Sequence, residues 1–312
     1  MKSMKVISSL GLVKPAGCDS RVLVIGVFDG LHVGHQTLLR QALARARELR
    51  GELWVMTFDP HPVHVLHPEV KLPLIISVPH RLRLFQDMGV DAAFVVRFNR
   101  TFARQSPAAF INKYLAGRIQ PREVYVGDDF RFGQDRSGSL NVFKSVGEKH
   151  GFSVRAVETI PGDVGKVSST RIRHFIVEGN LRKAQKYLGR PVSVMGKVVR
   201  GEKRGHQLGF PTANLDVRQE LLPPKGVYAV EVEILGEMYR GMTNIGQRPS
   251  FTPLDERVFV ETHVFNFRKN LYGKNIVVYF RKKIRDERCF LSREELIAQL
   301  KKDKARALAI LG

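Results

Sequence analysis

The strongest constraint on this chain is a change of hydrophobic rhythm near Gly189-Arg190-Pro191. Before it, apolar runs of strand length alternate with segments of helical period. Beyond it, strand follows strand across short glycine-bearing turns. The early strands are expected at Arg21 to Val27, Glu52 to Phe58, Ala92 to Val96, Glu123 to Val126 and Ser153 to Val157. Helices are expected at Gln36 to Arg50, Val78–Met88, Pro107–Ala116 and Ser139–His150. Such alternation predicts a parallel sheet with helices on both faces. The later strands, at Val192–Val199, Gly226–Leu235, Glu237–Ile245, Arg257–Phe265 and Asn275–Phe280, predict an antiparallel barrel. A closing helix opens with Ser292 and Glu295 in capping-box spacing and carries Leu296, Leu300, Ala307 and Leu311. The fold class is therefore α/β followed by β, with domains expected at residues 1–186 and 187–312.

A length of 312 residues suffices for two cores. The formal net charge of +21 is spread over both halves, with no basic arm or tail. It points to polyanionic ligands, and phosphorylated small molecules account for it as well as nucleic acid does. Cys18 and Cys289 are too few for a disulfide framework or a zinc site, which suits a reducing compartment. No apolar stretch approaches the ~20 residues of a membrane span. The run VISSLGLV after Lys5 is read as a first strand rather than a signal, so a cytoplasmic protein without a membrane partner is expected.

Two constellations carry chemistry. The first, GVFDGLHVGHQ at Gly26–Gln36, joins an apolar strand to the head of the first amphipathic helix. Ligands of parallel α/β sheets bind at the carboxyl ends of strands, and a helix N-terminus offers N–H groups and positive potential to a phosphate. Gly26, Gly30 and Gly34 allow close approach, and His32 and His35 can donate to one anionic group. These parts suit nucleotidyl transfer, in which one phosphate attacks another and the protein stabilises charge. The bland alternative is a tight turn with two solvated histidines. Further fragments follow the same pattern: FDPHP after the second strand, VGDDFRFG after another, and SSTRIR opening a helix with Ser168, Ser169, Thr170, Arg171 and Arg173. Phe130 or Phe132 with Asp128 or Asp129 could hold a flat ring, and the hydroxyls and guanidiniums suit a triphosphate. Either phenylalanine could equally be core.

The second constellation is GEKRGHQLGFPTANL at Gly201–Leu215. It is not a P-loop, yet a Gly-rich basic turn with Gly201, Lys203 and Gly209 can cover phosphates. The hydroxyl of Thr212 and the amide oxygen of Asn214 can ligate magnesium, which prefers oxygen donors. A long barrel loop with an Asx turn at Asn214 is the alternative.

The first half resembles the adenylyltransferase module of the bacterial bifunctional riboflavin kinase/FMN adenylyltransferases, or FAD synthetases. Their GxFDGxHxGHQ, FxPHP, VGxDFxFG and SSTxIR segments occur here in order. The second half is similar to their riboflavin kinase module. Its LGFPTANL, GVY, NIGxRPTF and VExH segments match Leu208–Leu215, Gly226–Tyr228, Asn244–Phe251 and Val260–His263. The resemblance implies a Rossmann-like parallel-sheet nucleotidyltransferase domain, then an antiparallel β-barrel riboflavin kinase domain with a C-terminal helix. It implies ATP and Mg²⁺ as requirements, and riboflavin, FMN and FAD as substrates and products. It also implies nucleotide or flavin contacts at Gly26, Phe28, Asp29, Gly34, His61, Asp129, Phe130, Gly201, Gly209, Pro211, Tyr228 and Asn244. By the same match Thr212 and Asn214 hold the metal, and Glu261 takes the proton from the ribityl 5′-hydroxyl. Two departures stand out. Ser250 replaces the usual Thr and keeps its hydroxyl, while Phe265–Gly273 has lost the acids of FDFDxDLYG, which bears on ligand affinity. An adenylyl- or cytidylyltransferase with another acceptor would share HxGH but has no need of PTAN and Glu261. A barrel binding nucleic acid would need exposed aromatics clustered on adjacent strands, which the sequence lacks.

Overall fold

A computed structural model describes residues 3–13, 20–158, 161–162, 165–201, 208–217, 220–247 and 258–312. Cys18, Lys203 and Ser250 lie outside the described residues. The chain forms two compact units, Met1–Leu72 with Val78–Ser168, and Pro73–Ser77 with Ser169–Gly312.

The first unit runs β1 (Lys5–Ile7), β2 (Arg21–Ile25), α1 (Val33–Glu48), β3 (Glu52–Asp59), α2 (Pro62–Leu66), α3 (Val78–Asp87), β4 (Ala92–Arg97), α4 (Arg100–Ala103) and α5 (Pro107–Phe110). It continues with β5 (Glu123–Gly127), α6 (Leu140–Lys149), β6 (Ser153–Val157) and a small hairpin, β7 (Pro161–Gly162) with β8 (Gly165–Lys166). The six-stranded sheet has the order β1-β4-β3-β2-β5-β6, every pair parallel. β2 lies centrally and is buried along its whole length, as a β-branched run covered on both faces must be. From β2 the chain builds outward through β3 to β4, then returns to place β5 on the other side of β2. The strand order therefore reverses between β2 and β5, and their carboxyl ends open a crevice. The segment expected as one helix over Pro107–Ala116 divides instead. After α5 it widens into a π-helical stretch, Ile111–Ile119, that buries Ile111, Tyr114, Leu115 and Ile119 together and ends at Gln120 with φ 50°.

One buried carboxylate fixes α1 on this sheet. Glu123, the first residue of β5, is 4% exposed and accepts from Arg45 Nε at 2.8 Å and Arg155 Nε at 2.9 Å. Burial works to raise its pKa, but the two guanidiniums outweigh this and hold it below the usual carboxylate value. Arg45 lies in the last turn of α1, so the pair anchors the end of the helix remote from its N-terminus.

The second unit contains α7 (Ser169–Val177), α8 (Leu181–Leu188), β9 (Ser193–Val199), β10 (Ala213–Asp216), β11 (Gly226–Ile234), β12 (Glu237–Gln247), β13 (Val258–Val264), β14 (Asn275–Arg285) and α9 (Arg293–Leu311). Its strands close a barrel in the order β10-β13-β12-β11-β14-β9, all pairs antiparallel. β10 corrects the loop reading of the Asn214 segment. Four residues of mixed polarity give no period, yet both flanking strands pair with them. The strap Pro73–Ser77 is bonded into this unit: Glu220, 6% exposed, accepts from Ser77 N at 2.8 Å and Met195 N at 2.9 Å. Leu221 N donates to Leu74 O at 2.6 Å and Arg173 Nε to Pro73 O at 3.0 Å. Helix α9 is capped by Ser292, whose side chain accepts from Glu295 N at 3.1 Å, and is pinned by Arg285 on the fully buried Asp303.

Replacing Glu123 by Ala removes the carboxylate that Arg45 and Arg155 share, leaving Arg45 with Glu48 and Arg155 with solvent, and is expected to destabilise the sheet unit by about 1 kcal/mol. Since the native carboxyl is harder to protonate than the unfolded one, the unfolded state binds more protons just below the ordinary glutamate pKa. Wild-type stability should then fall with acid in that range, and Glu123→Ala should flatten the fall. Urea unfolding midpoints against pH measure both.

Candidate active sites

The loop from β2 to α1 takes a path that most residues avoid. Phe28, Gly30 and Leu31 have φ of 56°, 82° and 41°, and Phe28 is 1% exposed. The Phe28 ring lies over Gly26, where a Cβ would come within 2.7 Å of it, so glycine there is a packing requirement. The ring also meets Phe85 and His35 edge-on, at centroid distances of 5.4 and 5.2 Å. The Phe28 ring thus supports the turn from within. Asp29 is buried as well.

His32 caps α1, its Nδ1 accepting from His35 N at 3.4 Å, and the two imidazoles stack at 3.6 Å and 16°. An imidazole that accepts at Nδ1 carries its proton on Nε2 when neutral. The first turn of α1 holds no acid, so the positive end of the helix is not offset. The pKa of His35 lies well below the ordinary imidazole value, first because it is withdrawn from water, then because His32 and Arg81 add positive potential. Gly34 sits against the His32 ring, which a Cβ would approach to 3.2 Å. After β3, His61 caps α2 by accepting from Val63 N at 3.2 Å.

A cavity of about 880 Å³ opens at the carboxyl ends of β2, β3 and β5. Gly26 and Val27 line it from β2, Phe58 from β3, and Asp129, Phe130 and Phe132 from the loop after β5. Phe130 and Phe132 stack at 5.6 Å and 18°, and Phe98, Phe102 and Phe110 add further aromatic wall. Its size and apolar lining are those of a small-molecule site, and Asp129 is exposed at its edge. Ser168 ends the sheet unit, while Ser169, Thr170, Arg171 and Arg173 open α7 in the barrel unit. Thr170 is exposed, and Arg173 donates to the strap carbonyl described above.

In the barrel, strand register does the assembly. Glu261 of β13 lies directly opposite Asn214 of β10 on one side and Asn244 of β12 on the other. Directly opposed residues share a face, so all three project to one side, with Thr243 and Thr262 bonded at 2.8 Å on the other. A cavity of about 270 Å³ is lined by Thr212, Asn244 and Glu261 together with apolar Leu208, Phe210 and Leu296. Asn214 packs against Gly201, where a Cβ would displace its amide. Asn244 Nδ2 donates to Glu287 Oε1 at 3.2 Å. Gly209 takes φ 78° and Pro211 is exposed.

The Tyr228 ring is 1% exposed, with its hydroxyl on the Pro224 carbonyl. Its neighbour Val227 lines the cavity. His263 was not singled out by sequence. It is 7% exposed between the edges of Phe210 and Phe265, and its Nδ1 bonds Pro211 O at 2.8 Å. Burial, the largest influence, lowers its pKa, so it is neutral near pH 7 and its Nδ1–H fixes the residue before Thr212.

Comparison with known proteins matches both halves. The FAD synthetase family model covers residues 15–171 and the riboflavin kinase model residues 188–311. The bifunctional riboflavin kinase/FMN adenylyltransferase of Escherichia coli K12 is 36% identical over 313 residues, covering 100% of this chain and 98% of the relative. That of Bacillus subtilis is 36% identical, covering 99% and 98%. A solved Streptococcus pneumoniae structure described as a macrolide-efflux protein superposes with a TM-score of 0.80 at 33% identity over 97% of each chain. Among the described residues, no helix is long and apolar enough to cross a membrane. With both domain models in sequence and full-length relatives above 30% identity, the chain belongs to the bifunctional riboflavin kinase/FMN adenylyltransferase family.

Proposed function

We propose that the chain makes FMN and then FAD, each at the expense of one ATP, with phosphoryl transfer in the barrel unit and adenylyl transfer in the sheet unit. The observation that carries this reading is that each unit holds its own polar constellation: Glu261 between Asn214 and Asn244, and stacked His32 and His35 at the head of α1. In the first step Glu261 accepts the proton of the ribityl 5′-hydroxyl as that oxygen bonds the γ-phosphorus and the β–γ bridge breaks to release ADP. His263 holds Pro211, and through it Thr212, in place. The Thr212 hydroxyl and Asn214 amide are hard oxygen donors of the kind magnesium takes, and close packing against Gly201 limits the freedom of that amide. Mg²⁺ there would neutralise charge on the ATP phosphates.

In the second step a phosphate oxygen of FMN bonds the α-phosphorus of ATP and pyrophosphate leaves. His32 Nε2–H and neutral His35 donate to the transferring phosphate, with the N-terminus of α1 adding positive potential. The aromatic cavity receives the isoalloxazine, with Phe130 as a stacking surface and Asp129 as a polar contact. Gly26 and Gly34 admit the nucleotide, and His61 and Asp29 complete the ATP contacts. The catalytic modules are assigned to residues 1–186 and 187–312, a functional division distinct from the compact units that part after Ser168; the partners are these small molecules, not nucleic acid or membrane, and the setting is the cytoplasm.

Purified protein given riboflavin, ATP and Mg²⁺ should yield FMN and FAD on chromatography; absence of both overturns the reading. Glu261→Gln should slow FMN formation by ~10²–10⁴-fold and leave adenylylation of supplied FMN intact. His263→Phe, which keeps a ring but loses the bond to Pro211, should slow FMN formation roughly tenfold, as expected for about one hydrogen bond. His35→Ala should lower FAD synthesis by ~10²-fold, mainly in kcat. With His32→Ala added, the loss should fall short of additive, because both side chains serve one phosphate. Steady-state rates of the two half-reactions measure all of these.

A further inference from the structure

Arg81 of α3 is an arginine where a core residue would be expected. It is 2% exposed, and desolvation lowers its pKa despite the opposing fields of Asp29 and Asp59. Burying a guanidinium costs several kcal/mol, so its hydrogen bonds matter. One Nη donates to the Val27 carbonyl and, at 2.9 Å, to Thr57 Oγ1. Thr57, fully buried, donates to that same Val27 oxygen at 3.2 Å. The Val27 carbonyl is thus held by two donors from two different elements, immediately before the left-handed Phe28. Phe28 in turn closes over Gly26 and braces His35 edge-on. A contiguous chain of contacts therefore runs from Arg81 through Val27 and Phe28 to the stacked histidines.

We propose that Arg81 is a positioning residue for adenylyl transfer, fixing the turn that carries His32 and His35. Its second effect is electrostatic. The charged or titratable groups that bear on this cluster are His32 against His35, and Asp29 and Asp59 against Arg81. With Arg81 cationic, protonating His35 adds like charge, so the imidazole remains neutral. The proposal rests on His35 acting in the transfer, and the test reads the turn separately from the activity.

The experiment compares Arg81→Met and Arg81→Lys in the full chain. It uses steady-state FAD synthesis across pH, riboflavin phosphorylation by the same preparations, and the NMR titration of the His35 Cε1–H. In Arg81→Met, kcat for FAD synthesis is expected to fall by about 10²-fold with the KM for ATP little changed, as for a misplaced catalytic group. Removing the positive charge should raise the His35 midpoint. Arg81→Lys keeps the charge but not the guanidinium geometry. It should leave the His35 midpoint near its original position and recover part of kcat. Wild-type kcat with an unmoved His35 midpoint in Arg81→Met overturns the proposal. So does a parallel loss of both activities in both variants, which would make Arg81 a support of the whole fold. A moved His35 midpoint in Arg81→Met, together with full FAD synthesis in His35→Ala, would count instead against the role assigned to His35.

Discussion

Glu123 is a carboxylate with almost no access to water, and the geometry of the sheet unit hangs on its two arginines. Arg45 ties the last turn of α1 to the first residue of β5, and Arg155 ties β6 to the same point. A helix of 16 residues spans about 24 Å. Fixing its far end at the amino edge of the sheet therefore delivers its N-terminus to the carboxyl edge. There the reversal of strand order between β2 and β5 has already opened a crevice. The histidines then need only a turn of the right shape, and Phe28 and Gly26 supply it by packing against each other.

The barrel solves its placement problem differently. Among the described residues, strand pairing does the work that the head of α1 does in the sheet unit. Backbone pairing of β10, β13 and β12 sets Asn214, Glu261 and Asn244 in a row, and an antiparallel ladder cannot slip by one residue without sending all three side chains to the opposite face. Thr243 and Thr262, bonded on the reverse face, and the cover of Phe210, Met242 and Phe265 by Ala307 and Leu300 of α9 make that slip costly. The first site depends on a loop held by side chains and the second on strand register.

This difference explains what the sequence disclosed. The parallel sheet was legible because the runs at Arg21 and Glu52 are apolar throughout, and the helices between them keep a helical period. HxGH was legible because its residues are contiguous. Glu261 carried no local signal: it becomes distinctive only through partners 47 and 17 positions away in sequence, and only family resemblance pointed to it. Tyr228 was legible as part of a motif, while its burial against the Pro224 carbonyl was not. Arg81 and His263 were missed for the opposite reason. A charged or titratable side chain in a helix or strand reads as solvated, and only the carbonyls of Val27 and Pro211, distant in sequence, give these two their function.

The strap Pro73–Ser77 gives the chain an unusual itinerary. The polypeptide leaves the sheet unit after Leu72, returns at Val78 and leaves again after Ser168. With three crossings, no single break divides the sequence into the two units as they stand. A cut after Ser168 yields a barrel whose Glu220 has lost the Ser77 amide, and a sheet fragment that still carries the strap. Circular permutation inherits the same restriction, since new ends placed anywhere leave at least two crossings uncut. The two units are interleaved in sequence, so a shuffled or transplanted barrel must bring those five residues with it on a tether of its own.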